Sequence, residues 1–72
     1  MITNNDIENW FTYHSPDSND IAKYKSIREA AKNLAYEILD NTPSCADQSA
    51  AIRHLREAVM TANAAIACKD KD

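Results

Sequence analysis

Three observations predict an all-α fold. Glycine is absent from the 72 residues, proline stands only at 16 and 43, and the apolar residues between these marks recur at helical spacing. The expected architecture is a short N-terminal helix followed by a long antiparallel helical hairpin. Residues 1–72 read as a single hairpin domain, the most that a chain of this length supports.

The first helix is expected over residues 4–12, with Thr3 or Asn4 as its cap. Acidic residues fall in its first turn, where they meet the positive end of the helix dipole. Thr12 to Pro16 then forms a turn or extended link, because the residue before a proline avoids the helical region. Trp10 and Phe11 are expected to fasten this helix onto the hairpin, since large aromatics usually fill cores.

The second helix is expected over 18–41, capped by Asp17 or Ser18 and stopped by Asn41-Thr42-Pro43. Its apolar residues Ile21, Tyr24, Ile27, Ala31, Leu34 and Ile38 are separated by steps of three and four, a seam near period 3.5. The third helix is expected over 44–68, with Ser44 as cap and Asp47 completing a capping-box-like pair. Ile52, Leu55, Val59, Ala62 and Ile66 make its seam, and Ala51, Ala58, Met60, Ala64 and Ala65 make a second apolar face. Lys69 to Asp72 is expected to be a frayed tail.

Two apolar faces on one helix exceed what a single hairpin partner covers. A chain this short also has a marginal core, which small domains usually supplement with disulfides, a metal or oligomerisation. Cys45 and Cys68 make no disulfide framework, and no Cys/His cluster has metal-ligand spacing. A homo-oligomeric bundle is therefore expected. No signal peptide is recognisable, and no apolar run approaches the ~20 residues of a membrane span, so a cytoplasmic protein with reduced thiols is expected.

The net charge is −3, unevenly distributed. Residues 1–20 contain Asp6, Glu8, Asp17 and Asp20 and no lysine or arginine. The cations follow from Lys23 onward. An acidic chain is a poor ligand for duplex nucleic acid, whose affinity comes mainly from neutralised phosphates. A small anion needs only a few local cations. In an antiparallel hairpin turning near Pro43, Arg28 and Lys32 share a face of the second helix, and Arg53 and Arg56 lie at similar height on the third. The alternative for these cations is a solvated surface of i, i+4 pairs, Lys25 with Glu29 and Arg53 with Glu57.

No catalytic constellation stands out. The serines lack a glycine elbow, no phosphate loop exists without glycine, and His14 and His54 have no partner in a metal motif. His54 reads as a solvent-facing helix residue. Neither an enzyme nor a bound cofactor or metal is expected. Tyr13, outside a helix, can stack on a base while an arginine meets phosphate, or can pack the first helix against the hairpin.

Three blocks fall in order along residues 9–68: Phe11-x-Tyr13-His14-x-Pro16; Tyr24-x-x-Ile27-Arg28-x-Ala30-Ala31; and Ala51-Ile52-x-x-Leu55-x-Glu57-Ala58-Val59-Met60-x-Ala62-Asn63-Ala64-Ala65-Ile66-Ala67. Together they resemble a phage hairpin family whose members are anti-CBASS and anti-Thoeris proteins. The resemblance implies a sponge that sequesters cyclic nucleotide immune messengers in the infected bacterial cytoplasm without cleaving them. It implies a hexamer with ligands held between protomers. The implied ligands are cyclic dinucleotides such as 3′,3′-cGAMP, cyclic trinucleotides, or cyclic ADP-ribose isomers. By position it assigns stacking to Tyr13 and the phosphate or base edge to Arg28, with Lys32 beside it. A second, trinucleotide-type pocket falls on Arg56, Thr61 and Asn63, although many members carry Trp where this chain has Thr61. From the residues alone, a rival reading stands: a helical adaptor whose alanine-rich, two-faced third helix binds a protein partner.

Overall fold

The computed structural model describes residues 1–69. The elements are α1 (Asn4–Trp10), α2 (Ser18–Asn41) and α3 (Ala46–Ala67), with no strand among the described residues. Long helices α2 and α3 pack together as the hairpin.

Each helix start has a specific cause. At α1, the Thr3 hydroxyl accepts from Asp6 N–H (3.2 Å) and Asp6 Oδ2 accepts from Thr3 N–H (2.8 Å), a reciprocal capping box. Asp17 and Asp20 repeat the device at α2, at 2.8 and 3.3 Å. At α3 the expectation fails. Cys45, not Ser44, is the cap residue, extended at φ −163° and ψ 177°, and no side chain caps the helix. The pairing of Ser44 with Asp47 therefore does not form, and α3 begins two residues later than the spacing predicts.

The first helix is also shorter than expected, ending at Trp10 instead of residue 12. Phe11 is its C-cap, donating its N–H to Ile7 O at 3.1 Å. Thr12 Oγ1 turns back onto Glu8 O, giving that carbonyl a side-chain partner where the helix stops. The α2–α3 turn is held by Gln48, whose Nε2 donates to Thr42 O (3.2 Å) and Thr42 Oγ1 (3.1 Å). Thr42 Oγ1 in turn donates to Ile38 O at 2.6 Å.

The seams face each other but enclose little. Tyr24, Ile27, Ala31 and Ile38 of α2 and Ile52, Leu55, Val59, Ala62 and Ile66 of α3 are half-buried. Ile21 and Leu34, assigned to the α2 seam by spacing, remain exposed. Among the described residues no apolar side chain is fully buried. The second face of α3 stays open, with Ala58, Met60, Ala64 and Ala65 exposed. Trp10 and Phe11 do not fill a core within the protomer: they are 50 % and 82 % exposed. Instead, α1 is tied down by polar links. Asn9 Nδ2 donates to Cys68 O at 2.9 Å, and Cys68 Sγ lies 3.7 Å from Asn9 O.

The protomer exposes 6000 Å², whereas a compact folded monomer of this mass exposes about 4500 Å². Its radius of gyration is 15.4 Å, against roughly 11 Å for a compact domain of this length.

The two caps give a paired test. Asp17→Ala removes a formed capping box and lowers stability by ~1 kcal/mol in urea unfolding, whereas Ser44→Ala, which removes no cap bond, leaves the midpoint unchanged.

Candidate functional site

Five of the six residues assigned from sequence are distributed over three surface cavities of the protomer, and Asn63 lines none of them. The first is a groove of about 470 Å³ between α2 and α3. Arg28 and Lys32 stand on one wall, one turn apart, and Arg56 on the other. Ile52, Leu55, Val59 and Met60 make its apolar lining. The three cations are exposed, and the antiparallel packing of the helices brings Arg56 opposite the α2 pair. Arg53, expected at the same height, does not line the groove.

Neither of the i, i+4 pairs that would have neutralised these helix faces is formed. Among the described residues Lys69 pairs with Asp20, and the well-exposed His54 Nδ1 and Glu57 Oε2 lie 3.7 Å apart. Arg28, Lys32 and Arg56 thus make no ion pair with a described carboxylate, leaving a positively charged rim over an apolar floor. Such a surface suits a small anion that also carries flat apolar groups.

The second cavity, about 310 Å³, lies where the link after α1 meets the end of α3. Tyr13, His14, Ser15, Asp20, Tyr24, Ala67 and Lys69 line it. His14 Nε2 sits 2.6 Å from Asn9 O, which anchors the link. Tyr13 is 83 % exposed and so is available as a stacking surface. Within one protomer, Tyr13 and Arg28 therefore line different cavities. The third cavity places Thr61 beside Trp10, Ala64, Ala65 and Cys68. Arg56 and Thr61 are thus separated, and half-buried Asn63 lines none of these three cavities. Its Oδ1 is buried with no partner among the described residues.

Lys69 and Asp20 are the pair that the sequence reading missed. Lys69 was expected in a frayed tail; its Nζ instead lies 2.5 Å from Asp20 Oδ1, linking the end of α3 to the start of α2. Residues 70–72 of that expected tail lie outside the described residues. The hydrogen bond from Lys69, aided by the Asp17 N–H, holds the Asp20 carboxyl below its ordinary value of 3.8. The same bond raises the Lys69 ammonium above its ordinary 10.5. No local spacing in the sequence links Asp20 to a residue 49 positions away.

Among the described residues no group of three His, Cys, Asp or Glu side chains is placed to hold a metal ion. No described helix is long and apolar enough to cross a membrane.

A long helical hairpin with a short leading helix, a basic groove and an aromatic cleft defines an all-helical hairpin domain. The chain belongs to the Acb2/Tad1 hairpin-domain family, whose profile matches residues 3–67. This is the phage anti-CBASS/anti-Thoeris sponge family. No curated protein and no solved structure matches the chain.

The direction of both pKa shifts fixes the pH window of the link between Asp20 and Lys69. The Asp20 contribution is present above 3.8 and is lost as pH falls through the lower folded value. The Lys69 contribution is complete below 10.5 and is lost as pH rises through the higher folded value. The side-chain resonances of Lys69 should accordingly hold steady between these limits and shift outside them. Asp20→Asn should abolish the acid-side change.

Proposed function

We propose that this chain is a phage anti-defence sponge that binds cyclic oligonucleotide messengers, without cleaving them, between copies of itself. Family membership supports the sponge role. The observation that carries the ligand class is the groove of Arg28, Lys32 and Arg56 over an apolar floor. A cyclic dinucleotide such as 3′,3′-cGAMP offers complementary chemistry, with two phosphodiesters for the cations and two bases for apolar and aromatic contact.

Tyr13 belongs to this site through a neighbouring copy. It lies in a different cavity from Arg28 within the protomer, so an aromatic from one copy closes the basic groove of another. The exposed faces that carry Leu34 and Met60 supply the surface on which such copies meet. A homohexamer is the proposed assembly, located in the cytoplasm of the infected host. Asn63, with its unpartnered buried oxygen, and Thr61 beside Trp10 are the proposed contacts of a second pocket for cyclic trinucleotides or cyclic ADP-ribose isomers. The rigid helices that form the groove walls hold it open before the guest arrives, which limits the ordering entropy lost on binding.

Isothermal titration with cyclic dinucleotides, cyclic trinucleotides and cyclic ADP-ribose isomers tests the proposal. Binding of at least one, with the ligand recovered intact after denaturation, is expected. Absence of binding by all of them, together with capture of a protein by the open α3 face, would favour the adaptor reading. Tyr13→Ala should weaken cyclic dinucleotide binding by ~1–3 kcal/mol, the usual worth of a base stack. Arg28→Ala should weaken it by ~1.5–3 kcal/mol, the worth of a hydrogen bond to a charged group. Neither variant should dissociate the assembly.

A further inference from the structure

The one buried residue among those described is a carboxylate, Asp20, at 6 % exposure, while no described apolar side chain is buried. A buried charge is costly unless it is paired and hydrogen-bonded, and this one is both. Its Oδ2 accepts from Asp17 N–H and its Oδ1 from Lys69 Nζ. Capping accounts for the first contact alone. The second draws a lysine from 49 positions away into the lining of the Tyr13 cleft.

That lysine is not consumed by the carboxylate. An ammonium carries three N–H donors, and Asp20 accepts one. The Lys69 side chain keeps 42 % exposure, so the remaining donors have access to a guest. Both Asp20 oxygens are already engaged, by the Asp17 N–H and by Lys69. Tyr13 and half-buried Tyr24 supply aromatic surface in the same cleft. An aromatic pair beside a held cation is the combination that takes a nucleotide, with the base on a ring and the phosphate on the ammonium.

We propose that Lys69 is a ligand-contacting cation of the Tyr13 cleft and that Asp20 is its positioning residue. This rests on the cyclic nucleotide reading and adds a contact to it: the protomer that supplies the stacking tyrosine also supplies a phosphate-binding cation from the far end of its chain. Arg28 of one copy and Lys69 of another then address separate phosphates of one cyclic ligand. Asp20 holds the long lysine side chain in one place before binding, so less rotamer freedom is lost when the ligand arrives.

The test is isothermal titration of cyclic dinucleotides and trinucleotides into the full chain and the variants Lys69→Gln, Lys69→Arg and Asp20→Asn/Lys69→Gln. Glutamine still donates to Asp20, so Lys69→Gln removes the charge and keeps the link. It should weaken binding ~10- to 100-fold, the worth of a hydrogen bond to a charged group. Lys69→Arg retains the charge and should restore most of the affinity. The double variant, with a neutral amide pair, should bind as weakly as Lys69→Gln. A second readout uses the unaltered protein: bound cyclic dinucleotide should slow acetylation of Lys69 relative to exposed Lys25. Wild-type affinity in both glutamine variants, or no protection of Lys69, would reduce the lysine to a structural clasp and overturn the inference while leaving the sponge reading intact. A wild-type chain that binds no cyclic nucleotide would overturn the sponge reading and the inference with it.

Discussion

Two helices packed along a single stripe cannot enclose a core, and every other property of this chain follows from that geometry. The seam residues of α2 and α3 reach only half-burial, and the second face of α3 meets water. The protomer exposes 6000 Å², about 1500 Å² more than a compact monomer of its mass. That excess matches roughly two standard protein-interface patches of ~800 Å² each. An area of this size would accommodate more than one neighbouring copy. In the proposed assembly, repeated copies would supply what a third or fourth helix supplies in a larger bundle.

The same geometry explains why the proposed site is divided. The basic groove runs along the middle of the hairpin, where antiparallel packing sets Arg56 across from Arg28 and Lys32. The aromatic cleft sits at the opposite end from the α2–α3 turn, where the link after α1 meets the C-terminus of α3. Polar contacts fix this end where apolar packing is thin. Asn9 reaches the Cys68 carbonyl and so places α1, while Asp20 reaches Lys69 and ties the start of α2 to the end of α3. The aromatics of this end, Trp10, Phe11 and Tyr13, stay exposed and available for a neighbouring copy or a ligand.

Much of the fold was legible in the sequence because its determinants are local. The limits of α2 follow from Asp17 and from Asn41-Thr42-Pro43, a capping acid and a proline stop that act within a few residues. The α3 seam followed from spacing alone. The start of α3 was misread because Ser44 has a good capping side chain but the backbone places Cys45 at the cap. The end of α1 was misread because Thr12 bonds back to Glu8 and stops the helix before the pattern runs out. Helical periodicity and hairpin register placed Arg28, Lys32, Arg53 and Arg56 at one height, and all but Arg53 line the groove. The separation of Tyr13 from Arg28 was not readable in this way, since it depends on where a non-helical link lies. Nor was the Asp20–Lys69 pair, which joins residues 49 apart through a contact with no local pattern. Long-range polar contacts leave no periodic trace in a single sequence.

Sedimentation equilibrium of the dilute, ligand-free chain tests most directly whether copies complete the fold and create the ligand site. Six copies of the 8.1 kDa chain would give a particle near 49 kDa. Its melting temperature should rise with protein concentration, because folding and assembly are then linked. A stable 8.1 kDa monomer whose melting temperature ignores concentration would contradict the account.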